Sequence, residues 1–300
     1  MVTAFVLSGG GSLGAVQVGM LQALTARGVE PDLLVGTSAG ALNAAYVAGH
    51  GVSAASLDDL EAIWSSLRRR DVFPLQPARL GAATLGRAAS LFSNGALRRL
   101  ISENLAFNRL EDADIPVHVV ATDVDSGQEV LLSDGDPVDA VLASAAIPAV
   151  FPSVRIAGHD LVDGGVADNA AVSAAVTLGA DVVYVLPTGY ACALEQPPAT
   201  PLASALQALT LLIEQRLILE VGHFAEHADI RVLPPLCPLS VSSADFRHGA
   251  LLVERARIAT GRWLDEGGPR LAHPERFLSL HRHTFAMNPA STPCHGGQAA

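Results

Sequence analysis

LLVGTSAGALNAAYVA, residues 33–48, passes from a strand pattern to a helix pattern through a serine set between glycines. Leu33 to Thr37 reads as a short buried strand. Ala39 to Ala48, almost wholly Ala, Leu, Val and Tyr, reads as a buried helix. Between them Gly36-Thr37-Ser38-Ala39-Gly40 spells G-x-S-x-G at a strand-to-helix turn. Gly36 and Gly40 clear the room that lets a serine occupy a strained turn with its hydroxyl raised above the sheet edge. That context makes Ser38 a candidate nucleophile. A serine that only caps a helix is the plainer reading, and partners elsewhere in the chain must decide between them.

Upstream, FVLSGGGSLGAVQVG (residues 5–19) is a strand, a glycine loop and a helix. Free backbone N–H groups at such a helix start point at an anion. Gly9, Gly11 and Gly14 satisfy G-x-G-x-x-G, a dinucleotide fingerprint that also asks for an acid closing the second strand. Asp32 has the right count but precedes the strand Leu33-Leu34-Val35, and Gly36-Thr37-Ser38-Ala39-Gly40 follows with no carboxylate. An oxyanion formed during a reaction is the competing occupant.

Strands alternating with helices this early imply a parallel sheet covered on both faces. Thr3 to Ser8 and Leu33 to Thr37 are its first strands, with a helix from Gly14 to Arg27 stopped by Gly28 between them. Ser56 is expected to cap a helix ending in Arg68-Arg69-Arg70, followed by helices over 79–93 and 95–105 with Asn94 as a cap. Residues 56–110 thus read as a helical insertion. Val117 to Val124 and Gln128 to Leu132 read as a hairpin, and Pro137 opens a helix that Pro148 stops. Extended pieces near Val154 and Leu161 lead to Asp163-Gly164-Gly165. Helix 170–178, strand 182–186, helix 202–223, strand 230–233 and helix 244–265 follow. The pattern weakens from Gly267, and 288–300 is expected to be disordered.

Half of the 300 residues are hydrophobic, and the net charge of −11 argues against nucleic acid as a partner. Ser66 to Leu110 holds eight arginines against two acids, leaving that segment at +6 and the remainder at −17. No apolar run is read as long enough to span a membrane, the longest candidate lying around Ala140 to Phe151. The N-terminus does not read as a signal peptide, so a cytoplasmic location is expected. Cys192, Cys237 and Cys294 are few, odd in number and far apart, with neither metal spacing nor a disulfide framework.

A nucleophilic serine needs a base. The elbow follows only the second strand, which disfavours an α/β-hydrolase with its late histidine. His159, His223, His227 and His248 are the histidines worth weighing, and none stands in a strand-end loop beside an acid and glycine. Asp163, followed by Gly164 and Gly165, is the better candidate. D-G is also a common turn dipeptide.

GGGSLG, then GTSAG, then DGG, in that order, resemble the patatin-like phospholipase family, as does ASAAIPAVFPSV (143–154) ahead of LVDGG. The resemblance covers roughly residues 3–190. It implies a three-layer α/β/α patatin-like fold with a mostly parallel central sheet and a helical insertion, over 1–266, with 267–300 as a tail. It implies Ser38 as nucleophile and Asp163 as base of a Ser–Asp dyad, with Gly9, Gly10, Gly11 and Ser12 forming the oxyanion hole. Gly36 and Gly40 support the elbow, and Gly164 and Gly165 the aspartate loop. No cofactor and no metal are implied; the substrate is an acyl ester of a lipid. Two departures stand out. Leu13 follows the glycines where many members carry Arg or Lys, and Ala167-Asp168-Asn169-Ala170-Ala171 replaces paired asparagines and a proline. Peripheral membrane contact through 66–110 is expected, with Trp64, Phe73, Leu91 and Phe92 as apolar anchors. A nucleotide-binding module using the first loop, and a lipid-binding regulator with little turnover, are the alternatives.

Overall fold

A strand with helices on both faces has no side that tolerates charge, and the apolar runs at 3–7, 33–37 and 182–186 become such strands, buried almost throughout. The computed structural model describes residues 1–167, 171–194, 196–270 and 278. It begins β1 (Thr3–Leu7), α1 (Ala15–Thr25), β2 (Leu33–Thr37) and α2 (Ala39–His50). Four helices follow: α3 (Ala54–Ser66), α4 (Arg69–Val72), α5 (Pro77–Thr84) and α6 (Gly95–Asn104). The sheet resumes with β3 (Val117–Asp123) and β4 (Glu129–Leu132), then α7 (Pro137–Ser144), β5 (Val154–Ile156) and β6 (His159–Asp163). Next come α8 (Val172–Thr177), β7 (Val182–Leu186), α9 (Pro201–Phe224), β8 (Asp229–Val232) and α10 (Gly249–Asp265).

The sheet order is β5-β6-β3-β2-β1-β7-β8, with β4 also on β3. The five strands from β3 to β8 are parallel; β4, β6 and β5 are antiparallel additions. Successive side chains of β1 face opposite layers, as strand geometry requires. Phe5 and Leu7 join the core with Val16 of α1, Ala44 of α2 and Leu252 of α10. Ala4 and Val6 join the other core with Val172 of α8 and Leu217 of α9. The result is three layers, α/β/α.

Register places the site. Each strand residue has two edges, and Val120 pairs with Thr37 of β2 and Leu131 of β4. Ala121 pairs with Val130 of β4 and Asp163 of β6. β2 and β6 therefore share one edge of β3, and β6 takes over where β2 ends. Asp163 is delivered one residue beyond Thr37, beside the exit that carries Ser38.

The insertion differs in detail from the sequence reading. Ser53, not Ser56, caps α3, its hydroxyl accepting the Ser56 N–H at 3.2 Å. The helix stops at Ser66, so Arg68, Arg69 and Arg70 lie beyond it. Arg68 folds back to donate to the carbonyls of Ser65, Ser66 and Leu67 at 2.8–3.0 Å, satisfying orphaned acceptors at that helix end. The expected helix over 79–93 ends at Thr84, where Gly86 turns the chain with φ +67°. Asn94 precedes α6 without a side-chain cap bond. Trp64, Phe73 and Phe92 are buried rather than poised as membrane anchors, because they build the core beneath the insertion. α9, expected as the helix 202–223 but not as a run of spanning length, is among the described residues the one helix long and apolar enough to cross a membrane by length and composition. One face of it packs inward through Leu206, Ile213, Leu217 and Val221. Residues 271–277 and 279–300, Cys294 among them, and 168–170 lie outside the described residues.

Candidate active site

Ser38 leaves β2 with φ 53° and ψ −118°, a conformation that costs a non-glycine residue about 1–3 kcal/mol. The surroundings force it. A Cβ on Gly40 would lie 2.1 Å from the Leu7 carbonyl oxygen, and one on Gly36 would lie 2.7 Å from the Ala41 Cα. The Ser38 N–H donates to Ser144 Oγ of α7 at 2.8 Å, and its carbonyl accepts the Ala41 N–H at 3.0 Å. The turn is pinned on both sides.

Ser38 Oγ donates to Asp163 Oδ2 at 2.8 Å. Asp163 Oδ1 accepts the Gly165 N–H at 2.8 Å. The Asp163 backbone is held as well: its N–H donates to the Ala146 carbonyl at 3.0 Å, and its carbonyl accepts from the Thr122 hydroxyl at 2.9 Å. That hydroxyl also accepts the Ala167 N–H at 3.1 Å. Gly164 sits so tightly on β3 that a Cβ would fall 2.4 Å from the Val120 carbonyl oxygen. Asp163 is 1% exposed, and burial pushes its carboxyl up to about 6, against the opposing pull of the Gly165 N–H and the Ser38 hydroxyl.

The glycine loop is braced from behind. Thr188 donates its hydroxyl to the Gly9 carbonyl at 2.7 Å, and Ser243 accepts the Ser12 N–H at 2.9 Å. Ser12 is therefore an anchor of the loop rather than a free donor, which corrects the expectation for that residue. The N–H groups of Gly10 and Gly11 have no partner among the described residues, and Gly11 lines the same cavity as Ser38. The Ala39 and Gly40 N–H groups at the start of α2 are likewise unpartnered there. Sequence reasoning assigned the hole to the glycine loop alone and missed Ala39, although the residue after an elbow serine is a known donor position.

Other supports were also missed. Gln17 donates to the carbonyls of Ser8 and Leu186 at 2.8 and 2.9 Å and accepts from Asn43 at 2.8 Å. Asn43 also donates to the Gly14 carbonyl and accepts from the Trp64 indole at 2.7 Å. This buried network ties the loop to α1, α2 and α3. No spacing signal marks it, because its members lie on three separate helices.

Ser38 lines an apolar cavity. Leu60, Trp64, Phe73, Ile101, Phe151 and Phe246 line it, so the insertion forms much of its wall. No histidine lines it among the described residues. His159 pairs instead with Asp123 at 2.7 Å, a carboxyl that the Ser126 N–H first, and then this imidazole, hold down at about 2. His248 lies 3.5 Å from Asp245, and the His223 ring is tilted by 33° to that of His227 with ring centroids 6.0 Å apart. Among the described residues no group of three His, Cys, Asp or Glu side chains could hold a metal ion.

The sequence model of the patatin-like phospholipase family matches residues 5–176. An uncharacterised NTE family protein of Mycobacterium bovis is 34% identical over 185 residues, covering 61% of this chain and 48% of the relative. Patatin-like phospholipase domain-containing protein 7 of Rattus norvegicus is 29% identical over 194 residues, covering 62% of this chain and 13% of the relative. A lysophospholipase of Aspergillus terreus is 28% identical over 196 residues, 61% of this chain and 12% of the relative. The chain spans about half, or less, of the length of these relatives. The crystal structure of VipD from Legionella pneumophila is similar at a TM-score of 0.44 and 16% identity, covering 88% of this chain and 67% of that one.

Proposed function

The chain belongs to the patatin-like phospholipase family, and from that membership we propose that it is a serine acyl hydrolase cleaving lipid acyl esters through a Ser38–Asp163 dyad. The observation that carries the reading is the 2.8 Å bond to a buried Asp163 from the Oγ of Ser38, a residue that lines an apolar cavity. Asp163 takes the Ser38 proton as Oγ attacks the acyl carbonyl carbon. The Gly10, Gly11 and Ala39 N–H groups receive the oxyanion that forms. Such donors cost no reorganisation when charge develops, and each typically contributes about 100- to 1,000-fold. Collapse expels the alcohol, which takes the proton from Asp163. Water then attacks the acyl-enzyme, giving its proton to Asp163, and Ser38 leaves with that proton restored. An ordinary carboxylate is a weak base for a serine hydroxyl; a carboxyl near 6 is better matched and still mostly ionised at neutral pH.

The apolar cavity suits the acyl chain, and residues 1–266 act as the hydrolase unit. Contact with a lipid surface falls to the segment around α5, where Leu75 and Leu85 are 72% and 67% exposed. Arg87 beside them forms no ion pair among the described residues. A fluorophosphonate probe tests the activity directly. Peptide mapping should place the label on Ser38, and Ser38→Ala should take up none and turn over a soluble ester at below about 1% of the parent rate. Labelling at another residue, or turnover surviving in Ser38→Ala, would overturn the proposal.

A further inference from the structure

β7 and β8 are neighbours in the sheet, so the loops that leave them run side by side. The first carries Cys192 and the second Cys237, far apart in sequence. Ala193 donates its N–H to the Leu239 carbonyl at 3.0 Å, and the Leu239 N–H points at Cys192 Sγ at 3.4 Å. The two sulfurs lie 3.9 Å apart, each the thiol of a half-buried cysteine. A disulfide brings its sulfurs to about 2.05 Å, so closure needs only a small approach of two side chains already facing each other.

The same loops brace the glycine loop. Thr188, just before Cys192, holds the Gly9 carbonyl through its hydroxyl and the Ser8 hydroxyl through its N–H at 3.0 Å. Ser242 and Ser243, just after Cys237, accept the Ser12 hydroxyl at 3.1 Å and the Ser12 N–H at 2.9 Å. We propose that Cys192 and Cys237 are a redox-sensitive modification site that closes into an intrachain disulfide, clamping together the two loops that hold the glycine loop from behind. The oxidant is a small-molecule disulfide of the glutathione class. One cysteine loses its proton, and its thiolate attacks a sulfur of that reagent, forming a mixed disulfide and expelling one thiolate. The second cysteine, deprotonated in turn, attacks the protein sulfur of the mixed disulfide and expels the other. The protein gives up two protons and two electrons, and the reagent is reduced to two thiols.

The full chain carrying Cys294→Ser, equilibrated in glutathione buffers from reduced to oxidised and quenched by alkylation, tests this. Intact mass should show an oxidised form two hydrogens lighter, with one peptide joining Cys192 to Cys237 and full reversal by excess reduced glutathione. Both cysteines remaining alkylatable, or each carrying its own glutathione, would overturn the pairing. Hydrogen exchange across residues 8–14 should slow several-fold on oxidation, and Cys237→Ser should show no such change. Equal exchange in the linked and reduced forms would overturn the clamp. Neither readout requires turnover, so a failure here is distinct from a failure of the hydrolase reading.

Discussion

Asp163 is placed where an ionised carboxylate is least comfortable, and that discomfort is what would make it a usable base. Its carboxyl ionises at about 6 in the fold against 3.8 ordinarily, so between those values the folded chain keeps a proton that the unfolded chain releases. Stability contributed by this group is therefore lost as pH rises from about 4 to about 6, on the order of 3 kcal/mol for two units. Asp163→Asn removes both the base and this penalty. Turnover of a soluble short-chain ester should fall about 100- to 10,000-fold, as loss of a general base does, while the melting temperature at neutral pH stays at or above the parent value. His159→Ala, His223→Ala, His227→Ala and His248→Ala should each keep most of the turnover. A folded histidine variant as inactive as Ser38→Ala would replace the dyad with a triad.

The central strands and their flanking helices were legible because their patterns are local: unbroken runs rich in Val and Leu, and alanine-rich helices broken by glycine. The insertion was less so. Eight arginines suggested a lipid-facing patch, yet Arg68 closes the end of α3, Arg98 pairs with Asp139 and Arg109 with Glu111. Arg69 lies 6.0 Å from the ring centroids of both Phe73 and Phe92. Composition cannot separate a cation facing lipid from one folded back on its own helix. Nor can it separate an aromatic anchor from a cavity wall. In the proposed reading the exposed pair Leu75 and Leu85 would take over the anchoring role, each leucine contributing up to about 1.5–3 kcal/mol when fully buried. Leu75→Ser with Leu85→Ser should weaken binding to anionic vesicles in a sedimentation assay and leave soluble-ester turnover unchanged. Equal vesicle binding by variant and parent would assign those leucines no interfacial role.

Across the whole molecule, Ser38 and Asp163 were legible as separate signals, and their contact was not. It depends on β2 and β6 sharing one edge of β3, a fact of sheet order that no single stretch encodes. The same holds for Cys192 and Cys237, whose spacing gave no hint that the β7–β8 neighbourhood joins them. Glu214 shows a cost borne by the fold. It is 2% exposed on α9, its Oε1 has no hydrogen-bond partner, and burial pushes its carboxyl up to about 8. The unfolded chain releases this proton near 4.5 and the folded chain keeps it to about 8, so stability declines with rising pH across that window and levels off above it. Glu214→Leu should raise stability at pH 8 by about a few kcal/mol and flatten the decline in a denaturant titration series. An unchanged slope would mean that the carboxyl is already ionised or solvated in the folded chain.

The central claim is that a carboxylate, unaided by imidazole, serves as the base for Ser38. The pH profile of kcat/KM on a soluble ester, taken at a cold and a warm temperature, addresses it most directly. Carboxyl groups ionise with almost no heat, whereas imidazoles ionise with a substantial enthalpy. The account predicts a one-proton loss of activity as pH falls through about 6, at the same pH at both temperatures. An inflection that moves to lower pH on warming would identify a histidine and contradict the account.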